Sequence, residues 1–142
     1  MRAKQMVKYI PWLLIICLVV PAMSGCMNNK SKQVDYFNNH AKSYGKLIRW
    51  RAFDDASEYN RPRETELPKP DFDYLSEIKV TKYEIKSVVL SEEGDEAAVT
   101  AVISYYHERT TAVKTIEDNQ LWWKDEESGH WYVDGGLPNF EP

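Results

Sequence analysis

Polar and apolar positions change rhythm along the chain, and each rhythm predicts an element. Residues Ile10 to Val20 form an apolar run, Ile-Pro-Trp-Leu-Leu-Ile-Ile-Cys-Leu-Val-Val. It is shorter than the roughly 20 residues a permanent membrane-crossing helix needs. From Val34 onward, Phe37, Ala41, Tyr44 and Ile48 recur at spacings of three and four, the stripe of an amphipathic helix. Gly45 interrupts that helix at a cost of about 1 kcal/mol relative to Ala. Asp54 or Asp55 is placed to cap a second short helix running through Tyr59, its carboxylate accepting from free backbone amides. Residues 61–72 contain Pro62, Pro68 and Pro70 and read as a loop, because proline continues neither a helix nor a central strand.

Beyond the prolines the period drops to two. Tyr83, Ile85, Ser87 and Val89 alternate with Lys82, Glu84, Lys86 and Val88, which predicts a strand with one buried face. Ser91 to Glu96 reads as a turn in which Gly94 supplies positive φ. Ala97 to His107 is a second strand whose composition suggests cover on both faces. Val113 to Trp123 is a third, and His130 to Asp134 a short fourth, ended by Gly135-Gly136-Leu137-Pro138. Helices first and four strands in succession predict an α+β fold, with the N-terminal helices packed on a curved antiparallel four-stranded meander sheet.

The amino terminus carries a different kind of signal. Arg2, Lys4 and Lys8 precede the apolar run with no acid among them, and Pro21-Ala22-Met23-Ser24-Gly25 leads to Cys26. A charged start, a short apolar middle and small residues before a cleavage point describe a secretory signal. Met23-Ser24-Gly25-Cys26 resembles the lipobox of bacterial lipoproteins, with Met where Leu is usual. The resemblance implies cleavage between Gly25 and Cys26 and diacylation of the Cys26 thiol; a plain secretory signal and an uncleaved anchor are the alternatives. Two or three acyl chains hold a protein on a membrane where one does not. The predicted organisation is a signal over residues 1–25, a lipidated cysteine and polar tether over 26–33, and a single α+β domain over 34–142. Fully extended, the seven residues 27–33 would reach about 25 Å.

Removing residues 1–25 takes away three of the 18 Lys and Arg side chains and none of the 22 Asp and Glu, leaving 15 against 22 and a net charge of −7. An acidic surface argues against nucleic acid and anionic headgroups as partners. The expected partners are the membrane, through lipid on Cys26, and a protein of the envelope. Cys17 leaves with the signal, so Cys26 is the only cysteine of the remainder and no disulfide forms within it. In the resembled lipoproteins, Asp directly after the lipidated cysteine retains the protein in the inner membrane. Met27 stands there instead, which favours the outer membrane facing the periplasm over the plasma membrane.

Leu47-Ile48-Arg49-Trp50 followed by Phe53-Asp54-Asp55-Ala56 resembles the helix junction of small lipoproteins with a nuclear transport factor 2-like (cystatin-like) domain. Gln120 to Trp123, Gly129 to Asp134 and Leu137 to Phe140 resemble the last hairpin of the same group. The resemblance implies a sheet wrapped round a helix, with a concave face that superfamily enzymes use as a pocket. Its nearest members are uncharacterised, and it implies no catalytic residue and no cofactor.

Chemistry is sparse. His40, His107 and His130 lack the spacing of metal ligands, so no metal site is expected. No serine sits in a Gly-x-Ser-x-Gly turn and no glycine-rich phosphate loop precedes a helix. Glu117-Asp118-Asn119-Gln120 is the exception, four polar residues inside a strand. Alternation places Asp118 and Gln120 on the face of Ile116 and Trp122, so Asp118, Gln120 and Tyr105 are the candidate pocket residues. A buried acid among aromatics would have a raised pKa. Trp122 and Trp123, being adjacent, point to opposite faces, one into the core and the other under a helix or exposed. The expected function is a non-enzymatic binding or interaction module; the alternative is an enzyme or small-ligand carrier using the concave face.

Overall fold

The computed structural model describes residues 25–141. Helix α1 runs over Gly25–Trp50. It starts nine residues before Val34, so the predicted tether over 27–33 is helical instead of extended. No proline or glycine interrupts those seven residues, and they rise by about 10 Å instead of about 25 Å. Residues 1–24 of the predicted signal lie outside the described residues. No helix among the described residues is long and apolar enough to cross a membrane.

Gln33–Pro142 forms one compact unit. In it Phe37, Ala41, Tyr44 and Ile48 are all buried, whereas Val34, expected on the same stripe, is 38% exposed. The helix stops where Arg51 turns left-handed at φ 62°. There the amide of Ala52 donates to Leu47 O and that of Arg51 to Ile48 O, satisfying carbonyls the helix leaves open.

Helix α2 spans Phe53–Ser57, and its N-cap is Ala52 with no side-chain cap. The capping role expected of Asp54 or Asp55 is therefore corrected: both sit inside the first turn, where their charge favours the helix dipole. The proline loop ends sooner than predicted. Asp71 accepts from the Tyr74 amide at 3.0 Å and caps a third helix, α3, over Phe72–Ser76.

Strands β1 (Ile78–Leu90), β2 (Glu96–His107), β3 (Lys114–Lys124) and β4 (Trp131–Val133) form one antiparallel sheet in the order β1-β2-β3-β4, a meander. The β1–β2 turn uses Gly94 at φ 78° as predicted, and the Ser91 hydroxyl oxygen accepts from the amides of Gly94, Asp95 and Glu96.

Two expectations about strand faces fail. The pairing of β1 with β2 skips Thr81 and Lys86. Each skipped residue is a bulge that reverses which side chains face the core. Val88 and Leu90 thus turn inward, and Val89 is 65% exposed instead of sharing a face with Tyr83 and Ile85. On β2, Ala97, Val99, Ala101, Ile103 and Tyr105 are buried, but Ala98, Thr100, Val102, Ser104 and Tyr106 are partly or fully exposed. The core packs on one face only.

That core is built from aromatics meeting edge to face. Phe37 lies 4.7 Å from Trp131 and 5.7 Å from Trp122, and Tyr44 lies 5.5 Å from Trp122. Such pairs add about 0.5–1.5 kcal/mol each beyond the area they bury.

Candidate functional site

The third strand places its polar run as alternation predicts. Asp118 pairs in register with Ala101 and Gln120 with Val99, both on the buried face of β2. Gln120 is the one buried polar residue in the core of the described chain. Its amide orientation follows from Trp122, whose indole nitrogen can only donate. Trp122 Nε1 donates to Gln120 Oε1 at 2.9 Å, leaving Gln120 Nε2 to donate to Asp118 Oδ2 at 2.6 Å and to the Tyr83 hydroxyl at 3.0 Å. Every polar atom of the Gln120 side chain is thereby used.

Electrostatics follow from this burial. Desolvation pushes the Asp118 carboxyl above its ordinary range, partly opposed by the Gln120 N–H bonded to its charged form. Burial lifts the Tyr83 phenol to about 12; the Gln120 hydrogen bond opposes this and the neighbouring Asp118 charge adds to it. Tyr44 lies deeper, its phenol pushed well above the ordinary value by burial first and then by the charges of Asp118 and Tyr83. Its hydroxyl is buried with no hydrogen-bond partner among the described residues. Both phenols therefore stay protonated at neutral pH, and the carboxyl of Asp118 is the most acidic group of the cluster.

Chemically, the cluster is a carboxylate held by an amide with two phenols beside it, and among the described residues no histidine, serine or threonine is joined to it. A raised carboxyl pKa is the mark of a general acid or base. A reacting atom, however, needs room beside the carboxylate. Tyr44 of the buried α1 stripe lies beside it, and Asp118 itself keeps part of its surface exposed.

Tyr105 does not join this cluster, contrary to its grouping as a pocket residue with Asp118 and Gln120. It shares their face but stands four residues along β2 from Ala101, about 13 Å away at the rise of a strand. There its hydroxyl donates to Glu141 O at 3.2 Å, accepts from the Glu141 amide at 3.1 Å, and its ring meets Phe140 at 4.9 Å. Tyr105 thus ties down the carboxyl end of the chain.

A cavity of about 780 Å³ opens elsewhere, between the proline loop and the carboxyl-terminal segment, with Leu67, Tyr74, Leu137 and Phe140 in its wall. Asp118 and Gln120 do not line it.

The histidines remain apart. His40 Nδ1 faces Tyr36 O at 3.0 Å and so donates to it. His107 Nε2 lies 3.0 Å from Glu77, and its Nδ1 accepts from the Arg109 amide at 3.1 Å. His130 is exposed at the start of the last hairpin strand. No group of three potential metal ligands comes together among the described residues.

The tryptophans divide as adjacency requires. Trp122 is buried, while Trp123 is half-buried on the opposite face, covered by the loop after Asn60 instead of a helix. Its Nε1 donates to Arg61 O at 2.9 Å, and the Arg61 guanidinium lies 4.2 Å from the centre of the neighbouring Tyr132 ring. Sequence reasoning missed Tyr44 and Tyr83 as members of the polar cluster. Both were legible as face residues, but only strand register and helix placement bring their hydroxyls to Asp118.

Cys26 and Gly25 stand at the start of α1. Compared with protein-family models, curated proteins and solved structures, the chain matches none.

Proposed function

We propose that this chain is a lipoprotein of the bacterial cell envelope, anchored through acyl chains on Cys26, whose domain is a non-enzymatic binding or interaction module of the nuclear transport factor 2-like (cystatin-like) type. The observation that carries the anchor is Met23-Ser24-Gly25-Cys26 directly after a basic start and a short apolar run. Support for a module over an enzyme comes from the sheet face beneath α1, where Phe37 and Tyr44 pack on Trp122 and the polar atoms of Gln120 are all committed. Met27 after the anchor supports the outer membrane, facing the periplasm, over the plasma membrane. The second reading, an enzyme or small-ligand carrier using the concave face, is favoured by the raised pKa of Asp118.

The anchor is tested by expressing the chain and its Cys26→Ser variant in bacteria and weighing the amino-terminal peptide. The parent is expected to begin at Cys26 with a diacylglyceryl mass, and the variant to accumulate uncut and without lipid. A normally cut, unmodified amino terminus in the variant would overturn the assignment.

A further inference from the structure

The two long outer margins of the sheet differ. β1 is one margin along its whole length, and it carries the devices that keep an exposed strand from pairing with another chain. It is bulged at Thr81 and at Lys86, and Lys82 and Lys86 both pair with Glu84 along it. On the other side β4 pairs only with Trp122, Trp123 and Lys124, so among the described residues the earlier part of β3 has no strand beyond it. This part pairs with β2 from Lys114 to Trp123 without a register shift.

The direction of its backbone groups can be read from three bonds. The Lys124 amide donates inward, to Asp95 O beside β2. Leu121 O accepts from Asp134 N, and the Asp125 amide donates to His130 O, both on the β4 side. Peptide groups alternate along a strand, and nothing between shifts the register. The N–H and C=O groups of Thr115, Glu117 and Asn119 therefore face outward, and no backbone hydrogen bond reaches them from that side among the described residues. All three residues are exposed.

We infer that the margin of β3 over Thr115–Asn119 is a strand-addition site that takes an extended, basic peptide segment of a partner protein, in line with β4. The main chain would supply the binding through these outward groups, as in other cases of strand addition. Charge selects the partner. Glu117, exposed at the centre of the run, carries that charge, and opposite charges on facing strands stabilise while like charges destabilise. A second copy of this chain is disfavoured for that reason. Pairing two such segments antiparallel about Glu117 sets the two Glu117 carboxylates opposite each other.

This inference rests on the interaction-module reading and names its partner class. It is read on the full chain in detergent micelles, by amide hydrogen exchange. The probes are the blocked peptide Thr-Lys-Val-Lys-Val-Lys-Thr and its counterpart with Glu in place of each Lys.

Millimolar basic peptide is expected to slow exchange at Thr115, Glu117 and Asn119 at least about tenfold, with β1 amides unchanged and the acidic peptide inactive. Glu117→Lys is expected to move the preference toward the acidic peptide. Asn119→Pro, which removes an outward N–H and leaves the β2 ladder intact, is expected to abolish protection. Equal protection by both peptides, protection by neither, or protection of these amides by self-association without peptide would each overturn the inference. Complementation by a folded Asp118→Asn chain tests the interaction-module reading without any peptide, so failure here is distinguishable from failure of that reading.

Discussion

The face of the sheet beneath α1 has two parts that share the helix and β3, and they are held in different ways. At one end Phe37, Trp131 and the ring of Trp122 meet edge to face, and the one polar side-chain atom of Trp131, Nε1, is buried without a hydrogen-bond partner among the described residues. At the other, Asp118, Gln120, Tyr83 and Tyr44 bring a carboxyl, an amide and two hydroxyls under the same layer. Trp122 belongs to both, its ring in the first and its Nε1 in the second. The aromatic half is stabilised by whatever it removes from water. The polar half must replace each water hydrogen bond it gives up, and Tyr44 shows that it does so incompletely. Gln120 is the hinge of the polar half, joined at once to Asp118, Tyr83 and Trp122.

The sharpest break of that contrast is Trp131→Ala. It empties a large site at 3% exposure in the aromatic half and should cost about 3 kcal/mol or more. Urea unfolding of the parent and variant measures it. Trp123→Ala, on the half-buried outer ring, should cost less. If the two losses were equal, the aromatic half would hold no more of the stability than the opposite face.

A smaller effect is expected where the helix presses on the polar half. A Cβ added at Gly45 would stand 2.4 Å from Tyr83 Cε1 and 2.7 Å from Cδ1. The ring would have to swing and carry its hydroxyl away from Gln120. Gly45→Ala should therefore destabilise by about 1–2 kcal/mol net, although Ala alone would favour a helix by about 0.5–1 kcal/mol. A stabilised variant in the same urea series would mean that Tyr83 is loosely held.

Much of this contrast was legible before the structure. The stripe of Phe37, Ala41, Tyr44 and Ile48 is local, as is the alternation that put Asp118, Gln120 and Trp122 on one face, and the meander follows from short turns. What stayed hidden depends on pairing between strands. The bulges at Thr81 and Lys86 answer to the register with β2, and they turn Val89 outward where alternation alone turned it inward. Tyr105 was grouped with Asp118 because alternation gives the face of a residue but not its distance along the strand. The start of α1 was set too late because polarity was read as a tether, whereas a polar segment without proline or glycine also sustains a helix.

The central claim is that the sheet face beneath α1 is a packed core, and with it the proposal that the domain acts through its surface. Its most direct test is Asp118→Asn. Burial raises the folded pKa of Asp118 above the unfolded value. Between those two values the folded state binds more protons, so stability falls as pH rises through the folded pKa, and the charged form remains a cost at neutral pH. Asn keeps the acceptor for Gln120 and removes the charge. At pH 7 the variant should be as stable as the parent or slightly more so, and the difference should vanish below the unfolded pKa. Expressed in cells that lack the chain, it should restore whatever phenotype the parent restores. A folded Asp118→Asn chain that fails to do so would contradict the account and make the concave carboxyl a working group.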